Sequence, residues 1–251
     1  VAAGRSIARF GDGEMKLIYG KGYVREAGSP TLAAELRAVL QSPHRNCIVG
    51  IPTMDSAGPK YLNWIRHAER FRALLVPETV TYYSAFITRP DSPPWINCSS
   101  FALLAETIWR DKRVAVICEA RNKILATVRL SAKKAKHIRC RSNGAYETIG
   151  ELEQAALAFA PDVVVMACGP TATCLANRFA TRGLHAVDIG SAGGYLLAHL
   201  ARVRNGLLGA ADLRAHLVVA RLHPAHALRL LVLIDALRLD AVHAIMDMGA
   251  R

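Results

Sequence analysis

Long uncharged runs are missing from this sequence. The longest stretch free of Asp, Glu, Lys and Arg is Val163 to Asn177, fifteen residues broken by Gly169-Pro170, too short and too interrupted to cross a membrane as a helix. Paired cysteine spacings are missing as well. Cys47, Cys98, Cys118, Cys140, Cys168 and Cys174 are scattered with no CxxC, which argues against a zinc site or a disulfide framework and for free, buried, reduced thiols in a cytoplasmic protein. Aromatics are scarce at 6%, and no basic stretch is interleaved with them in the manner of RNA-binding modules. Neither a GxGxxG fingerprint nor a GK[ST] phosphate loop occurs. No basic region followed by an apolar run opens the chain, so no secretory leader is expected.

Acidic residues are also in deficit. Thirty-two Lys and Arg face twenty Asp and Glu, a net +12 with a pI near 9.8. Such a charge calls for an anionic partner: nucleic acid, a phospholipid surface or a phosphorylated substrate. Most basic residues are dispersed along the chain, and the densest stretch, Lys133-Lys134-Ala135-Lys136-His137, is short. That dispersal argues against nucleic acid. With 251 residues, 52% of them hydrophobic, the chain can bury a sizeable core in one domain or two small ones.

Short β-rich runs alternate with helical patterns. The strand candidates are Ser6–Phe10, Cys47–Ile51, Val80–Phe86, Arg113–Cys118, His137–Cys140, Asp162–Ala167 and His185–Ile189. Val114-Ala115-Val116-Ile117 and Val163-Val164-Val165-Met166 are continuous apolar runs, as in strands covered on both faces. Helices are expected from about Thr31 (after Ser29-Pro30), Pro59 to Leu75, Ser99 to Trp109, Ile149 to Phe159, and Pro170 to Thr181, where Gly183 ends the last. This order predicts an α/β Rossmann-like domain over residues 1–203, a mostly parallel sheet with helices on both faces. Residues 204–251 form a C-terminal helical extension in this reading. Its core is one long helix from Pro224 to Met248, whose broad apolar face needs cover from its own domain, a second subunit (a homo-oligomer) or a membrane surface.

In open α/β sheets, ligands bind at the carboxyl ends of the strands. Three such places carry chemistry. Arg9-Phe10-Gly11-Asp12-Gly13-Glu14 follows the first strand. If this segment is extended or turning, Asp12 and Glu14 point the same way and can share one hard divalent cation; alternatively both are carboxylates favoured at a helix N-terminus. Gly169-Pro170-Thr171-Ala172-Thr173 follows the Val-rich strand, where glycine and hydroxyls cradle a phosphate or sugar hydroxyl or simply cap the helix. Asp188-Ile189-Gly190 follows the last strand, where Asp188 serves as a base, a hydroxyl ligand or a buried cap.

Together these motifs, with Arg139-Cys140-Arg141-Ser142-Asn143-Gly144-Ala145-Tyr146 between them, resemble the GT-D fold glycosyltransferases over residues 5 to about 195. The resemblance implies a nucleotide-sugar donor, typically a UDP-sugar, transferred to a glycan, glycolipid or glycoprotein acceptor. It also implies Mn²⁺ or Mg²⁺ held by Asp12 and Glu14 of a DxE motif. The donor-binding set that follows takes in Arg9, Gly11, Gly13, Asn143 and the Gly169-Pro170-Thr171 turn, with Asp188 and Glu119 as candidate bases. Arg9 contacts phosphate or pairs with a neighbouring carboxylate. Two segments depart from the family pattern: Ser191-Ala192-Gly193-Gly194 stands where members carry a His and an acidic residue, and Glu119-Ala120-Arg121-Asn122-Lys123 replaces a glycine-rich Ser-Arg stretch. The rival expectations are a non-catalytic nucleotide-sugar-binding or assembly subunit and a basic nucleic-acid-binding protein. The location expected is cytoplasmic, with contact at the inner face of the membrane through the tail.

Overall fold

A computed structural model describes residues 4–52, 68–85, 102 and 105–204. The tail helix expected from Pro224 to Met248, Cys98, and most of the helices expected over Pro59–Leu75 and Ser99–Trp109 lie outside the described residues.

Seven parallel strands form one sheet: β1 (Ser6–Arg9), β2 (Cys47–Ile51), β3 (Tyr82–Ser84), β4 (Arg113–Cys118), β5 (Lys134–Arg139), β6 (Val163–Ala167) and β7 (Ala186–Asp188). Their order across the sheet is β3-β2-β1-β7-β6-β4-β5. The helices are α1 (Asp12–Ile18), α2 (Pro30–Gln41), α3 (Ala68–Arg72), α4 (Ile124–Arg129), α5 (Ile149–Leu157), α6 (Pro170–Thr181) and α7 (Gly193–Arg204). The chain first builds outward from β1 to β3, then crosses to the other half. That reversal places the ends of β1 and β7 side by side, at the switch point where open α/β sheets bind ligands.

Alternation along the central strands divides the core in two. Ala115, Ile117, Val164 and Met166 face the layer containing α1, α2, α5 and α6. Val114, Val116, Val163 and Val165 face Trp109, α4 and α7. Both faces are covered, as the unbroken apolar runs required. Ser29 caps α2 by accepting the Leu32 amide at 3.1 Å, with Pro30 in the first turn.

Several boundaries differ from expectation: β1 ends at Arg9, β6 starts at Val163 and β7 spans only Ala186–Asp188. Of the third run Tyr82–Ser84 is strand, Val80 and Thr81 precede it without strand structure, and Phe86 lies outside the described residues. The fifth strand starts at Lys134 rather than His137 and stops before Cys140. It lies at the sheet edge, where exposed lysines are tolerated and mask the apolar signal. The segments forming α4 and α7 were not among the expected helices.

The segment Ser191–Gly194 serves packing. A Cβ on Gly193 would sit 2.7 Å from the Ile124 backbone nitrogen, and the Gly193 carbonyl accepts the buried Thr127 hydroxyl at 3.0 Å. Gly193→Ala is therefore expected to cost about 1–3 kcal/mol by forcing α7 off α4. Gly194→Ala meets only the Lys123 side chain at 3.7 Å and should be neutral or slightly stabilising. Urea denaturation of the two variants checks the contrast.

Candidate active site

The Asp12 and Glu14 side chains diverge. Gly11 caps α1, so both acidic residues lie in its first turn, and residues two apart on a helix point about 200° away from each other. Asp12 faces solvent, its side chain 65% exposed and 3.5 Å from Lys16. Glu14 turns inward and accepts the Gly11 amide at 2.6 Å. The expectation of two parallel carboxylates assumed extended backbone, and the helix start removes that premise.

What Glu14 meets instead is the end of β7. Burial pushes its carboxyl up to about 7, with the nearby Asp188 charge adding to the rise and Arg9 opposing it. Burial likewise lifts Asp188 to about 6, against the pull of Arg9. The Arg9 guanidinium lies 3.9 Å from Asp188 Oδ1, and its Nε donates to the Ala85 carbonyl at 3.0 Å. Asp188 also accepts the Gly190 amide at 3.0 Å. Thr173 donates its hydroxyl to the Arg9 carbonyl at 2.8 Å, fixing the end of β1 from α6. One guanidinium thus serves two buried carboxylates at the switch point.

This pair gives stability a definite pH dependence. Each carboxyl titrates higher in the folded chain than at its ordinary value of 4.5 or 3.8, so between those values and about 7 the native state binds more protons than the unfolded state. Stability is then highest at the acid end of that window and falls as pH rises through it. From about pH 5 to about pH 8, the two groups should remove on the order of 4 kcal/mol. Glu14→Gln should flatten most of that slope in denaturation measured at the two pH values.

The other expected residues fall into three groups. Gly169 is exposed, with φ +61° and open space where a side chain would be, so its backbone is free to approach a ligand. Pro170 and Thr171 are buried, and the Thr171 hydroxyl is committed to Glu26 at 2.7 Å. Gly13 has no open face, because a Cβ there would meet the Tyr23 ring at 3.0 Å. Asn143 is exposed in the turn after β5. Glu119 is held ionised, first by a hydrogen bond from Ser142 and then by Arg25, which lowers its pKa; the Arg25 contact is 3.2 Å. A carboxylate stabilised in that way is a weaker base than Asp188.

A loop between α1 and α2 had no sequence signal and organises much of the site. Its Arg25 carbonyl accepts the Gly144 amide at 2.8 Å. Its buried Glu26 also accepts the Tyr146 amide at 3.1 Å. Arg25, Glu119, Cys140, Arg141, Ser142 and Cys168 line a cleft over the ends of β4, β5 and β6. Cys168 follows β6, the neighbour of β7, so this cleft borders the switch point. All five described cysteines are free and buried, and no group of three or more His, Cys, Asp or Glu among the described residues forms a ready metal cage.

The profile described as glycosyltransferase GT-D fold matches residues 7–196. The chain belongs to that family. Among similar proteins is the probable glycosyl transferase Gly of Streptococcus gordonii, 29% identical over 203 residues, which are 74% of this chain and 29% of that one. Glycosyltransferase GlyD of Streptococcus pneumoniae serotype 4 (strain ATCC BAA-334 / TIGR4) is 23% identical over 199 residues, 74% of this chain and 24% of that one. The chain therefore spans less than a third of the length of either relative. Among solved structures, a glycosyltransferase from Streptococcus sanguinis superposes with TM-score 0.67 at 24% identity, covering 78% of this chain and 79% of that one. A structure described as the domain of unknown function 1792, with a distinct glycosyltransferase fold, gives TM-score 0.68 at 24% identity over 77% of this chain and 76% of that one. The GT-D fold thus accounts for the described sheet. The place where Arg9, Glu14 and Asp188 meet lies inside the matched residues.

Proposed function

We propose that this GT-D chain transfers a sugar from a nucleotide-sugar donor, a UDP-sugar by preference, to a glycan, glycolipid or glycoprotein acceptor with the help of Mn²⁺ or Mg²⁺. The observation that carries the reading is the buried meeting of Arg9, Glu14 and Asp188 at the strand-end switch point of a family member. The site suits a hard cation: Glu14 is a buried oxygen ligand, and its charge and that of Asp188 beside it are only partly balanced by Arg9. Glu14 is the inner ligand in this proposal, and Asp12 stands at the exposed rim of the same turn. One or two carboxylates leave room for water and donor phosphates, as Mg²⁺-type sites commonly do. When bound, such an ion supplies Lewis-acid neutralisation of the charge that develops on the leaving diphosphate.

The protein groups have separate tasks in this scheme. Arg9 adds a fixed positive charge beside the diphosphate. The open backbone at Gly169 allows close approach of the donor. Asp188, with a pKa near 6, is suited to take the acceptor hydroxyl proton. Glu119 and Arg25 flank the neighbouring cleft, where the acceptor would enter.

A second reading has one observation in its favour. The segment that departs from the family's His and acid is used to pack α7 on α4, which suits a subunit that binds nucleotide sugar without turning it over. One experiment addresses both readings. Nucleotide sugars screened with Mn²⁺ should raise the melting temperature, and release of nucleoside diphosphate by the stabilising donor identifies the enzyme. Stabilisation without release supports the binding subunit, and no stabilisation by any donor overturns both.

A further inference from the structure

The excess of basic residues is concentrated in one continuous segment, and that segment carries one edge of the sheet. Residues 110–141, which contain β4, α4 and β5, hold eleven Lys and Arg against only Asp111 and Glu119, a net +9 out of the chain's +12. β5 pairs only with β4 and forms one edge of the sheet. The opposite edge is neutral: over residues 68–85, with α3 and β3, Arg70 and Arg72 are balanced by Glu69 and Glu78. The positive charge is therefore concentrated on one side of the sheet.

Along that edge Lys133, Lys134, Lys136 and Arg139 are all exposed, and among the described residues none of them has an ion-pair partner. Lys134 and Lys136 stand on the same side of the strand, each within 6 Å of the buried Phe159 ring at 5.8 and 5.7 Å. At the carboxyl end of the strand the row continues into Arg121 and Arg141, which line the cleft beside Glu119. A lysine-bearing edge strand discourages edge-to-edge pairing with another sheet. That function needs one or two lysines; it does not require three quarters of the net charge or a row that runs into the cleft.

We propose that the β5 edge docks on an anionic phospholipid surface and holds the cleft mouth next to it. Charge is the recognition chemistry, since no large exposed apolar side chain lies in residues 110–141; those among the described residues are Tyr19, Val24 and Tyr83. A protein partner would be expected to anchor on an apolar or aromatic spot, and single-stranded nucleic acid on stacking aromatics. A bare row of Lys and Arg matches a charged lipid surface.

The test is co-sedimentation of the full chain with vesicles of phosphatidylcholine alone or containing one-third phosphatidylglycerol. Binding should require phosphatidylglycerol and fall steeply as salt rises above about 0.1 M. Lys134→Glu with Lys136→Glu should weaken partitioning at least about tenfold. Arg70→Glu with Arg72→Glu, an identical change in net charge on the opposite side, should leave it within about twofold, and Lys134→Arg with Lys136→Arg should bind as the parent does. Circular dichroism and melting confirm that each variant is folded. An equal loss in both Glu variants would overturn the proposal, because net charge alone would then explain binding. So would no loss in either, equal binding to neutral vesicles, or tighter binding to an oligonucleotide that the Lys134/Lys136 change abolishes. The readout is binding alone, so failure of sugar transfer leaves this result intact.

Discussion

Glu14→Gln should abolish Mn²⁺-dependent binding of the nucleoside diphosphate and reduce donor turnover by about 10²–10³-fold, while leaving the fold in place. The amide oxygen of Gln can still accept the Gly11 amide that Glu14 accepts now, so the start of α1 keeps its cap. What disappears is the charge beside Asp188. The variant should even be more stable than the parent above about pH 7, since an ionised, buried carboxylate no longer has to be accommodated next to Asp188. Loss of function with a gain of stability is a combination that a merely structural residue would not produce. Asp12→Asn should act differently. Its side chain is largely exposed and pairs with Lys16 at 3.5 Å, so stability should stay within about 0.5 kcal/mol, and any loss of metal-dependent binding would reflect the rim of the site. Titration calorimetry with UDP and Mn²⁺, beside urea denaturation at two pH values, measures both effects.

Gly190→Ala should disable the site through Arg9. Gly190 has φ +55°, a conformation that costs an alanine on the order of 1 kcal/mol. Its missing side chain is also the space that the Arg9 guanidinium fills, and a Cβ there would overlap Nη1. The guanidinium would have to leave Asp188 while Ala85 still holds its Nε. The expected result is a loss of about 1–3 kcal/mol in stability and at least about a hundredfold loss in donor turnover, as for removal of a charge-stabilising group. A double-mutant cycle isolates the cause. If the overlap is responsible, adding Gly190→Ala to an Arg9→Ala background should cost only the backbone strain, leaving a coupling of about 1 kcal/mol or more. Additive costs would show that the two positions act independently.

The central sheet was legible because burial on both faces leaves a one-dimensional mark, the apolar runs of β4 and β6. The edge strand was harder to read, because Lys134 and Lys136 face solvent and break the pattern that betrays a strand. The strand-end rule put Arg9, Gly169 and Asp188 at the carboxyl ends of β1, β6 and β7, because the expected parallel sheet is the one observed. It could not give side-chain direction. Whether Asp12 and Glu14 converge turns on where α1 begins, and a start at Asp12 sends them apart. Thr171 looked like a free hydroxyl at a helix start, yet its partner Glu26 comes from a loop 145 positions away. The basic excess of residues 110–141 can be counted in the sequence, but that it reaches a sheet edge follows only from β5 pairing with β4 alone.

The most direct measurement of the account is release of nucleoside diphosphate from UDP-glucose by the purified chain with Mn²⁺, followed in the parent, Glu14→Gln and Asp188→Asn proteins. The parent should release diphosphate until the metal is chelated, and both variants should release it at least about a hundredfold more slowly, with all three proteins folded. Release that persists at the parental rate in both variants, or that is indifferent to the metal, would contradict it.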